Sequence, residues 1–499
     1  MKGVMLQGTA SDVGKSLITT ALCKIFHDWG YKTSPFKSQN MSNNSYVTVD
    51  GKEIGRAQGV QAEAAGVEGN VFMNPILLKP KSEQQSDIIF FGESVDHVDG
   101  REYRDNYYEK GIEAIGKSLA YLDEHFDVVI MEGAGSPVEI NLKSRELVNM
   151  KVAELADVPV ILIADIDRGG VFASIVGTLQ LLSEDERKRV KGIIINKFRG
   201  DISLFENGIH WIEEQTGVKV VGVLPYLQNH GIESEDSLSL QTVFQKADVK
   251  PIEIGIIRLP YVSNYTDLEP FLEEEDVRIR WISSPSEFGK PDAIILPGTR
   301  STIQDLQHLQ GLGLDQMIRD HAASGGTVVG ICGGYQMLGE TLLDVSGLDT
   351  GKPTYSIKGF GVLPITTEFH VKKKTIRSTG TLHPDSGFPS IPVEGYEIHV
   401  GVTEVLRNVP PFILQADGNE GISLNNGAII GTYFHHIFNN DVFRNEWLNS
   451  IRKKKGLPTK AVVPLAKFRK KRYEELATHV QEHLDMAYIR ELVLGVLEE

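Results

Sequence analysis

The stretch Gly8-Thr9-Ala10-Ser11-Asp12-Val13-Gly14-Lys15-Ser16 decides how the first half of this 499-residue chain folds. A short apolar run at 4–6 precedes it, and residues 17–28 after it have the apolar spacing of a helix. A strand, a glycine-rich loop and a helix in this order bind phosphate, because backbone N–H groups converge at the positive end of the helix dipole. Lys15 can reach the β- and γ-phosphates of ATP, and Ser16 can ligate Mg²⁺. The predicted phosphate-binding residues are Gly8, Thr9, Gly14, Lys15 and Ser16.

The spacing of this loop departs from the common P-loop pattern. Five residues separate Gly8 from Gly14 where four are usual, and Thr9 stands where the first glycine of the motif belongs. The variant G-T-x-x-x-x-G-K-[ST] resembles the loop of dethiobiotin synthetase and its relatives, P-loop enzymes that phosphorylate a carboxylate or carbamate. An ordinary Gly/Ser turn is the alternative that the spacing leaves open.

Composition limits the class of protein. The chain is 41% hydrophobic and 24% charged, which is typical of a globular protein, and its length predicts two or three domains. A formal charge of −16 argues against nucleic acid as a partner. Apolar runs such as 158–164 are too short to cross a bilayer, so we expect a cytoplasmic protein without membrane contact. Only Cys23 and Cys332 are present, so we expect neither a disulfide framework nor a zinc site built from cysteines. Cys23 is interpreted as a core residue.

Further apolar strands alternate with helical segments through the first half, which predicts a doubly wound parallel sheet whose strand ends share one edge. Three polar residues lie at such strand ends. Lys37 is expected to face the ligand, although a solvated lysine has the same pattern. Glu132 is predicted to be the second Mg²⁺ ligand beside Ser16, with a turn-capping role as the alternative. Asn196 is a candidate adenine contact, on the weak evidence of an Asn-Lys dipeptide.

The sequence turns polar and loses periodicity between residues 228 and 250, where we place a domain boundary. A second α/β domain follows, in which the apolar run 327–331 delivers Cys332 into a Gly-Gly turn before a helical segment. This G-x-C-x-G pattern is typical of a nucleophile elbow, a tight strand-to-helix turn that exposes one side chain. The N–H groups of Gly333 and of the turn around Gly298 are predicted to form an oxyanion hole.

A thiol nucleophile needs a base, because little of it is thiolate near pH 7. His435 and His436 follow a later apolar strand and would point to opposite faces if extended, so only one can meet Cys332. We predict that His435 is the base, and a core histidine is the alternative. The strand 395–401 is left open between glutamine recognition and domain contact. The basic residues of the C-terminal region are interpreted as a solvated face.

Taken together, these motifs resemble the cobyric acid synthase family, which pairs a dethiobiotin-synthetase-like P-loop domain with a class I type glutamine amidotransferase domain. The resemblance extends over nearly the whole chain. It is carried by residues 8–16, 35–41, 55–58, 73–75, 77–80, 132–137, 165–172, 196–201, 330–336 and 395–399. The implied domains are a P-loop synthetase domain at 1–228, a linker at 229–250, an amidotransferase domain at 251–445 and a helical tail at 446–499.

The resemblance implies a reaction. ATP and glutamine would be used, with Mg²⁺, to amidate the b, d, e and g carboxylates of adenosylcobyrinic acid a,c-diamide, giving adenosylcobyric acid in cobalamin biosynthesis. The polar arms of this corrinoid would meet amide and basic groups at the edge of the first sheet, namely Gln39, Asn40, Arg56 and Asn74. The alternatives are cobyrinic acid a,c-diamide synthase, with the same two domains, and a P-loop regulatory ATPase.

One position departs from the class I pattern. Ile437 stands where those amidotransferases usually carry the glutamate of a Cys-His-Glu triad. We therefore predict a Cys332–His435 dyad, and the sequence leaves its third member open, as it does the oligomeric state.

Overall fold

A computed structural model describes residues 1–80, 85–99, 106–227, 249–352, 354–416 and 418–496. Most of the predicted linker at 229–250 lies outside these residues. The chain forms two compact units, the first made of Met1–Glu235 with Arg469–Glu499 and the second of Asp236–Phe468. Among the helices described, none is both long and apolar enough to cross a membrane.

The helices of the described ranges are numbered here in chain order. They are α1 (Lys15–Asp28), α2 (Arg56–Ala64), α3 (Tyr108–His125), α4 (Met150–Ala156), α5 (Val171–Leu181), α6 (Glu184–Arg189), α7 (Glu206–Thr216), α8 (Pro285–Phe288), α9 (Thr302–Leu312), α10 (Leu314–Ala323), α11 (Gly333–Met337), α12 (Asp441–Lys454), α13 (Leu465–His483) and α14 (Met486–Leu494). Short 3₁₀ helices occupy Val71–Met73, Lys143–Arg145, Ile202–Phe205, Tyr265–Glu273, Pro384–Ser386 and Ile437–Asn439.

The strands of the first unit are β1 (Gly3–Gly8), β2 (Thr33–Phe36), β3 (Gln39–Met41), β4 (Ser45–Val47), β5 (Glu53–Gly55), β6 (Ile76–Pro80), β7 (Gln85–Phe90), β8 (Glu93–Asp99), β9 (Val128–Glu132), β10 (Val160–Asp165), β11 (Val190–Phe198) and β12 (Val220–Pro225). Those of the second are β13 (Ile252–Ile257), β14 (Val277–Ile282), β15 (Ala293–Leu296), β16 (Thr327–Ile331), β17 (Thr341–Asp344), β18 (Tyr355–Lys358), β19 (Ile365–Leu382), β20 (Pro392–Val405), β21 (Pro411–Gln415), β22 (Gly418–Leu424) and β23 (Ile429–Thr432).

The first unit is built on a six-stranded parallel sheet in the order β12-β11-β10-β1-β9-β2. Its strands are almost entirely apolar because apolar residues cover both faces of the sheet. Leu6 pairs with Glu132, and Asp165 pairs with Asn196, so these strand ends share one edge. The predicted doubly wound fold is thereby confirmed. Two smaller sheets, β3-β6-β7-β8 and β4-β5, come from the polar region after β2.

The second unit contains a mixed sheet in the order β14-β13-β15-β16-β23-β22-β21-β19-β17-β18, with β20 paired to β19. Strands β14 to β23 of this order are parallel and carry the predicted elbow at the end of β16. β22 runs antiparallel to β23, which joins the parallel part to an antiparallel extension. The α/β class predicted for this half is confirmed.

The basic runs of the C-terminal region, 452–455 and 469–472, are mostly exposed or half-buried, as predicted for a solvated face, but Arg452 is not. Trp447 of α12 is fully buried in the core of the second unit, and Val480 of α13 lies in a core of the first. Arg452, within the predicted solvated basic run, is also fully buried and forms a bidentate pair with Asp276, both N···O distances being 2.9 Å. Sequence alone treats such an arginine as exposed because its partner lies in a distant segment.

Candidate active sites

The cysteine of the second unit lies on a strained turn. Cys332 has φ 52° and ψ −109°, a backbone conformation that non-glycine residues rarely adopt. Its neighbours have to be small, because a Cβ at Gly334 would collide with the carbonyl oxygen of Leu296, and one at Gly333 would lie 2.6 Å from Thr299 Cγ2. The side chain is nearly buried, and its Sγ lies 3.4 Å from the carbonyl oxygen of Ile398. The turn has the geometry of a nucleophile elbow.

His435 is the histidine that meets this cysteine. The ring is fully buried, and its Nδ1 lies 2.7 Å from Oδ2 of Asp267. Because Nδ1 is taken by Asp267, the hydrogen bond with Cys332 uses Nε2. The three side chains form a Cys-His-Asp chain in which the carboxylate orients the imidazole.

Asp267 is the group that sequence reasoning missed. It is buried in the 3₁₀ helix Tyr265–Glu273, 168 residues before His435. Its second oxygen, Oδ1, accepts from the backbone N–H of His436 at 2.7 Å. No local pattern marks this aspartate, and only the absence of a carboxylate at Ile437 indicated that a third member could come from elsewhere.

The electrostatics of His435 favour its charged form. Burial by itself would lower the pKa of this histidine, but the Asp267 carboxylate and the hydrogen bonds to Asp267 and Cys332 raise it well above its ordinary value. An imidazolium held beside a thiol stabilises the thiolate. The site therefore has the charge arrangement that an activated cysteine requires.

The side chain of His436 lies elsewhere. Its Nε2 is 3.4 Å from Thr266 Oγ1, and its backbone is left-handed, with φ 63°. Its ring forms a T-shaped pair with the ring of Tyr396, which also stacks on His435 with centroids 5.1 Å apart. The sequence left the role of strand β20 open, and in the structure this strand supplies an aromatic side chain that packs against His435.

Both predicted oxyanion residues lie beside the cysteine site. A Cβ at Gly298 would be 3.0 Å from His435 Cε1, and one at Gly333 would be 3.2 Å from Thr299 N. The carbonyl oxygen of Gly298 accepts from the N–H of Ser263 at 2.9 Å. The turn 297–299 and the elbow are therefore in van der Waals contact.

In the first unit, the P-loop lysine is held among backbone carbonyls. Lys15 Nζ lies 3.2 Å from the oxygens of both Ala10 and Gly135, so it reaches the segment that follows β9. Gly14 has φ 100°, and a Cβ there would collide with Asn196 Nδ2. That amide donates to the carbonyl oxygen of Val13 at 2.7 Å. Asn196, the candidate adenine contact, thus clamps the P-loop itself.

Glu132 lies fully buried at the end of β9, next to the P-loop strand. Its Oε1 is 3.2 Å from Lys37 Nζ and accepts from Gln58 Nε2 at 3.0 Å. Its Oε2 has no hydrogen-bond partner among the described residues. Within the described ranges no group of three or more His, Cys, Asp or Glu side chains is arranged to hold a metal ion by itself, but Mg²⁺ in ATP sites needs only one or two carboxylates together with phosphate oxygens. The orphaned Oε2 therefore fits a Mg²⁺ ligand.

The four predicted substrate residues have different surroundings. Asn74 is occupied by the fold: its Oδ1 accepts from the N–H of Gly55, and its Nδ2 donates to the carbonyl oxygens of Lys37 and Ile76. Asn40 is buried and donates to Gln58 Oε1 at 2.9 Å, so it supports the partner of Glu132. Of the remaining two, Gln39 is half-buried, and Arg56 lies over the Tyr46 ring at 5.7 Å.

Two family models match the chain. The CobQ/CobB/MinD/ParA nucleotide binding domain matches residues 4–238, and the CobB/CobQ-like glutamine amidotransferase domain matches residues 253–443. The first covers the P-loop and Glu132, and the second covers Cys332, His435 and Asp267.

Three relatives named cobyric acid synthase are similar to the chain from end to end. The one from Geobacillus thermodenitrificans is 47% identical over 492 residues, covering 98% of this chain and 98% of the relative. The one from Geobacillus sp. (strain WCH70) is 48% identical over 496 residues, covering 98% and 97%. The one from Synechocystis sp. is 45% identical over 491 residues, covering 97% of each.

Proposed function

The chain belongs to the cobyric acid synthase family, and we propose that its two units divide one amidation between them. The predicted family and its class, a ligase that uses ATP and glutamine, are confirmed by the relatives and by both domain matches. One observation supports the assignment of a different part of the reaction to each unit. One unit holds a Cys-His-Asp arrangement, and the other holds a P-loop with a buried carboxylate.

In the second unit, Cys332 attacks the side-chain amide of glutamine. Its thiolate forms the S–C bond beside the charged ring of His435, and the carbonyl π electrons move to oxygen, where N–H groups near Gly298 and Gly333 stabilise the negative charge. Collapse of this intermediate releases ammonia, which takes the proton from His435, and leaves a thioester. Water then hydrolyses the thioester to glutamate. Asp267 holds the imidazole through Nδ1, so that Nε2 is the nitrogen that exchanges protons during the reaction.

In the first unit, ATP activates a carboxylate of the corrinoid. A free carboxylate resists ammonia because oxide is a very poor leaving group, so the γ-phosphoryl group is transferred to form an acyl phosphate. Lys15 neutralises charge on the transferred group, while the Asn196 amide keeps the P-loop in shape. Mg²⁺, for which Glu132 and Ser16 are the proposed ligands, would supply further charge neutralisation on the phosphates. Ammonia then displaces phosphate and forms the amide.

The proposed substrate is adenosylcobyrinic acid a,c-diamide, amidated at its b, d, e and g carboxylates to adenosylcobyric acid. This assignment is supported by the names of the relatives. Among the predicted contacts, Gln39 and Arg56 keep their proposed role, whereas the contacts of Asn40 and Asn74 favour supporting roles. The acidic net charge of −16 supports the absence of nucleic acid from the reaction, and we expect that reaction in the cytoplasm, where ATP and glutamine are supplied.

The test is a direct assay. Purified protein with ATP, Mg²⁺ and glutamine is incubated with adenosylcobyrinic acid a,c-diamide or with cobyrinic acid, and the products are followed by mass spectrometry. Each amidation replaces a hydroxyl by an amino group and lowers the mass by about one unit, so the number of amides can be counted. We expect up to four additions to the diamide and none to cobyrinic acid.

Two outcomes would contradict the assignment. Amidation of cobyrinic acid that stops at two additions would identify an a,c-diamide synthase. ATP turnover that no corrinoid changes would favour a regulatory ATPase.

A further inference from the structure

Asn264 immediately precedes the 3₁₀ helix that carries Asp267, and it is almost fully buried. Its backbone is left-handed, with φ 50° and ψ 41°. Asparagine tolerates this conformation better than most residues, yet it still costs roughly 1 kcal/mol. A buried asparagine held in this conformation beside the histidine of the cysteine site calls for a functional explanation.

The side-chain amide of Asn264 reaches the reacting nitrogen of the histidine. Its Nδ2 lies 3.3 Å from Nε2 of His435, while Nδ1 of the same ring is taken by Asp267. Nε2 therefore faces both the thiol of Cys332 and the amide of Asn264. Asn264 touches an atom that gains and loses a proton in the reaction.

Asn264 also lies on the rim of the predicted oxyanion hole. The residue before it, Ser263, donates its N–H to the carbonyl oxygen of Gly298 at 2.9 Å. Val262 forms an antiparallel bridge with Thr299, the residue next to Gly298. These backbone contacts fix the Asn264 segment against the turn that faces Cys332 and His435.

We propose that Asn264 is a catalytic residue whose amide donates a hydrogen bond to the oxyanion formed from glutamine. This proposal rests on the proposed roles of Cys332 and His435. In the resting site the charged ring of His435 carries a proton on Nε2, so this nitrogen is a donor and does not accept from the amide of Asn264. The amide N–H is therefore available when the S–C bond forms and negative charge develops on the carbonyl oxygen. It donates to Nε2 only after ammonia has taken the proton from that nitrogen.

The experiment compares two reactions of the same thiol. Glutamine hydrolysis forms an oxyanion, whereas alkylation of Cys332 by iodoacetamide displaces iodide at carbon and forms none. Asn264→Gly removes the amide and suits the left-handed backbone. We expect kcat for glutamine hydrolysis to fall about 10²-fold, as for loss of one oxyanion donor. The alkylation rate should change by less than about threefold, since the thiolate and its histidine remain.

A second variant covers the case in which Asn264→Gly does not fold. Asn264→Asp keeps the shape of the side chain but replaces the donor NH₂ by oxygen, so the same loss of kcat is expected. Equal falls of hydrolysis and alkylation would show that Asn264 only positions His435, and a normal kcat in Asn264→Asp would also overturn the proposal. His436→Gly is the matched control, because it removes another non-glycine side chain from a left-handed position beside the same histidine and should leave both rates unchanged.

The same measurements separate this proposal from the proposed function. If alkylation of Cys332 in the unmutated protein left glutamine hydrolysis intact, the cysteine site itself would be wrong. If alkylation abolished hydrolysis while the Asn264 variants kept full kcat, only the role of Asn264 would fail.

Discussion

The cysteine site and the P-loop site differ in how the protein holds their charged groups. In the cysteine site, His435 contacts both Cys332 and Asp267, so the charges compensate within the protein. In the P-loop site, Lys15 rests on carbonyl oxygens, and one oxygen of Glu132 has no partner among the described residues. Carbonyl oxygens are weaker partners for an ammonium group than phosphate oxygens are. The first site is preorganised by side chains, whereas the second is arranged to exchange protein contacts for those of a nucleotide and its metal.

Cys332→Ala should separate the two sites most strongly. We expect glutamine-dependent amidation to fall by about 10⁵-fold, as for loss of a covalent nucleophile. Synthesis driven by ammonium salts should remain, because the first unit would still make the acyl phosphate. Product formation with each nitrogen source measures the difference. Equal losses with glutamine and ammonium would contradict the two-site description.

Lys15→Ala should affect both nitrogen sources alike. The missing positive charge on the transferred phosphoryl group is not replaced by more ammonia, so both amidation rates should fall about 10³-fold. Glutamine hydrolysis assayed alone is the control, since its residues lie in the other unit. Near-normal ammonia-dependent rates would mean that residues 8–16 are not the catalytic nucleotide site.

Asp267→Asn tests whether the cysteine site depends on its third member. Without the carboxylate, the pKa of His435 should fall toward its ordinary value, and the imidazole loses its fixed tautomer. We expect glutamine hydrolysis to slow by about 10²-fold, measured as glutamate release. His436→Ala is the matched control, because it keeps the backbone N–H that donates to Asp267. If His436→Ala were the slower variant, the choice of His435 would be wrong.

Glu132→Gln probes the orphaned oxygen of the P-loop site. Replacing a carboxylate ligand by an amide should raise the Mg²⁺ concentration for half-maximal amidation by about tenfold. Mg²⁺ titrations of ammonia-dependent synthesis measure this shift, and Mg²⁺-dependent quenching of a bound fluorescent nucleotide gives a readout without turnover. Glu53→Gln is a comparison variant, since Glu53 is also buried but pairs with Lys79. An unchanged Mg²⁺ requirement in Glu132→Gln would assign Glu132 to capping.

The smallest expected effect is a change in the pH dependence of stability when the buried Glu420 is replaced. Burial raises its pKa to about 8, although it accepts from Tyr433 N and Thr432 Oγ1. Between the ordinary value of 4.5 and 8, the unfolded chain loses this proton while the folded chain keeps it, so the free energy of unfolding falls as pH rises. Glu420→Gln lacks this loss, and its Tm relative to the unmutated protein should be about 5 °C higher at pH 8 than at pH 5. Parallel Tm curves would contradict the raised pKa.

The sequence alone determined the features that neighbouring residues encode. The glycine-rich loop, the parallel strands whose ends share an edge, and the elbow around Cys332 are local patterns of backbone conformation and apolar spacing, and the structure has each of them. Local alternation along the chain also predicted that only one of His435 and His436 can meet Cys332, although it did not say which one.

Tertiary structure alone decided the partners of polar side chains. Asp267 contacts His435, which lies 168 residues later in the chain, and Asn196 donates to the P-loop residue Val13, which lies 183 residues earlier. Arg452 is buried against Asp276. A polar residue has the same local sequence signature whether it meets water, substrate or another side chain. Hydrogen-bond partners depend on which segments the packed core brings together, and the order of residues along the chain does not state that arrangement.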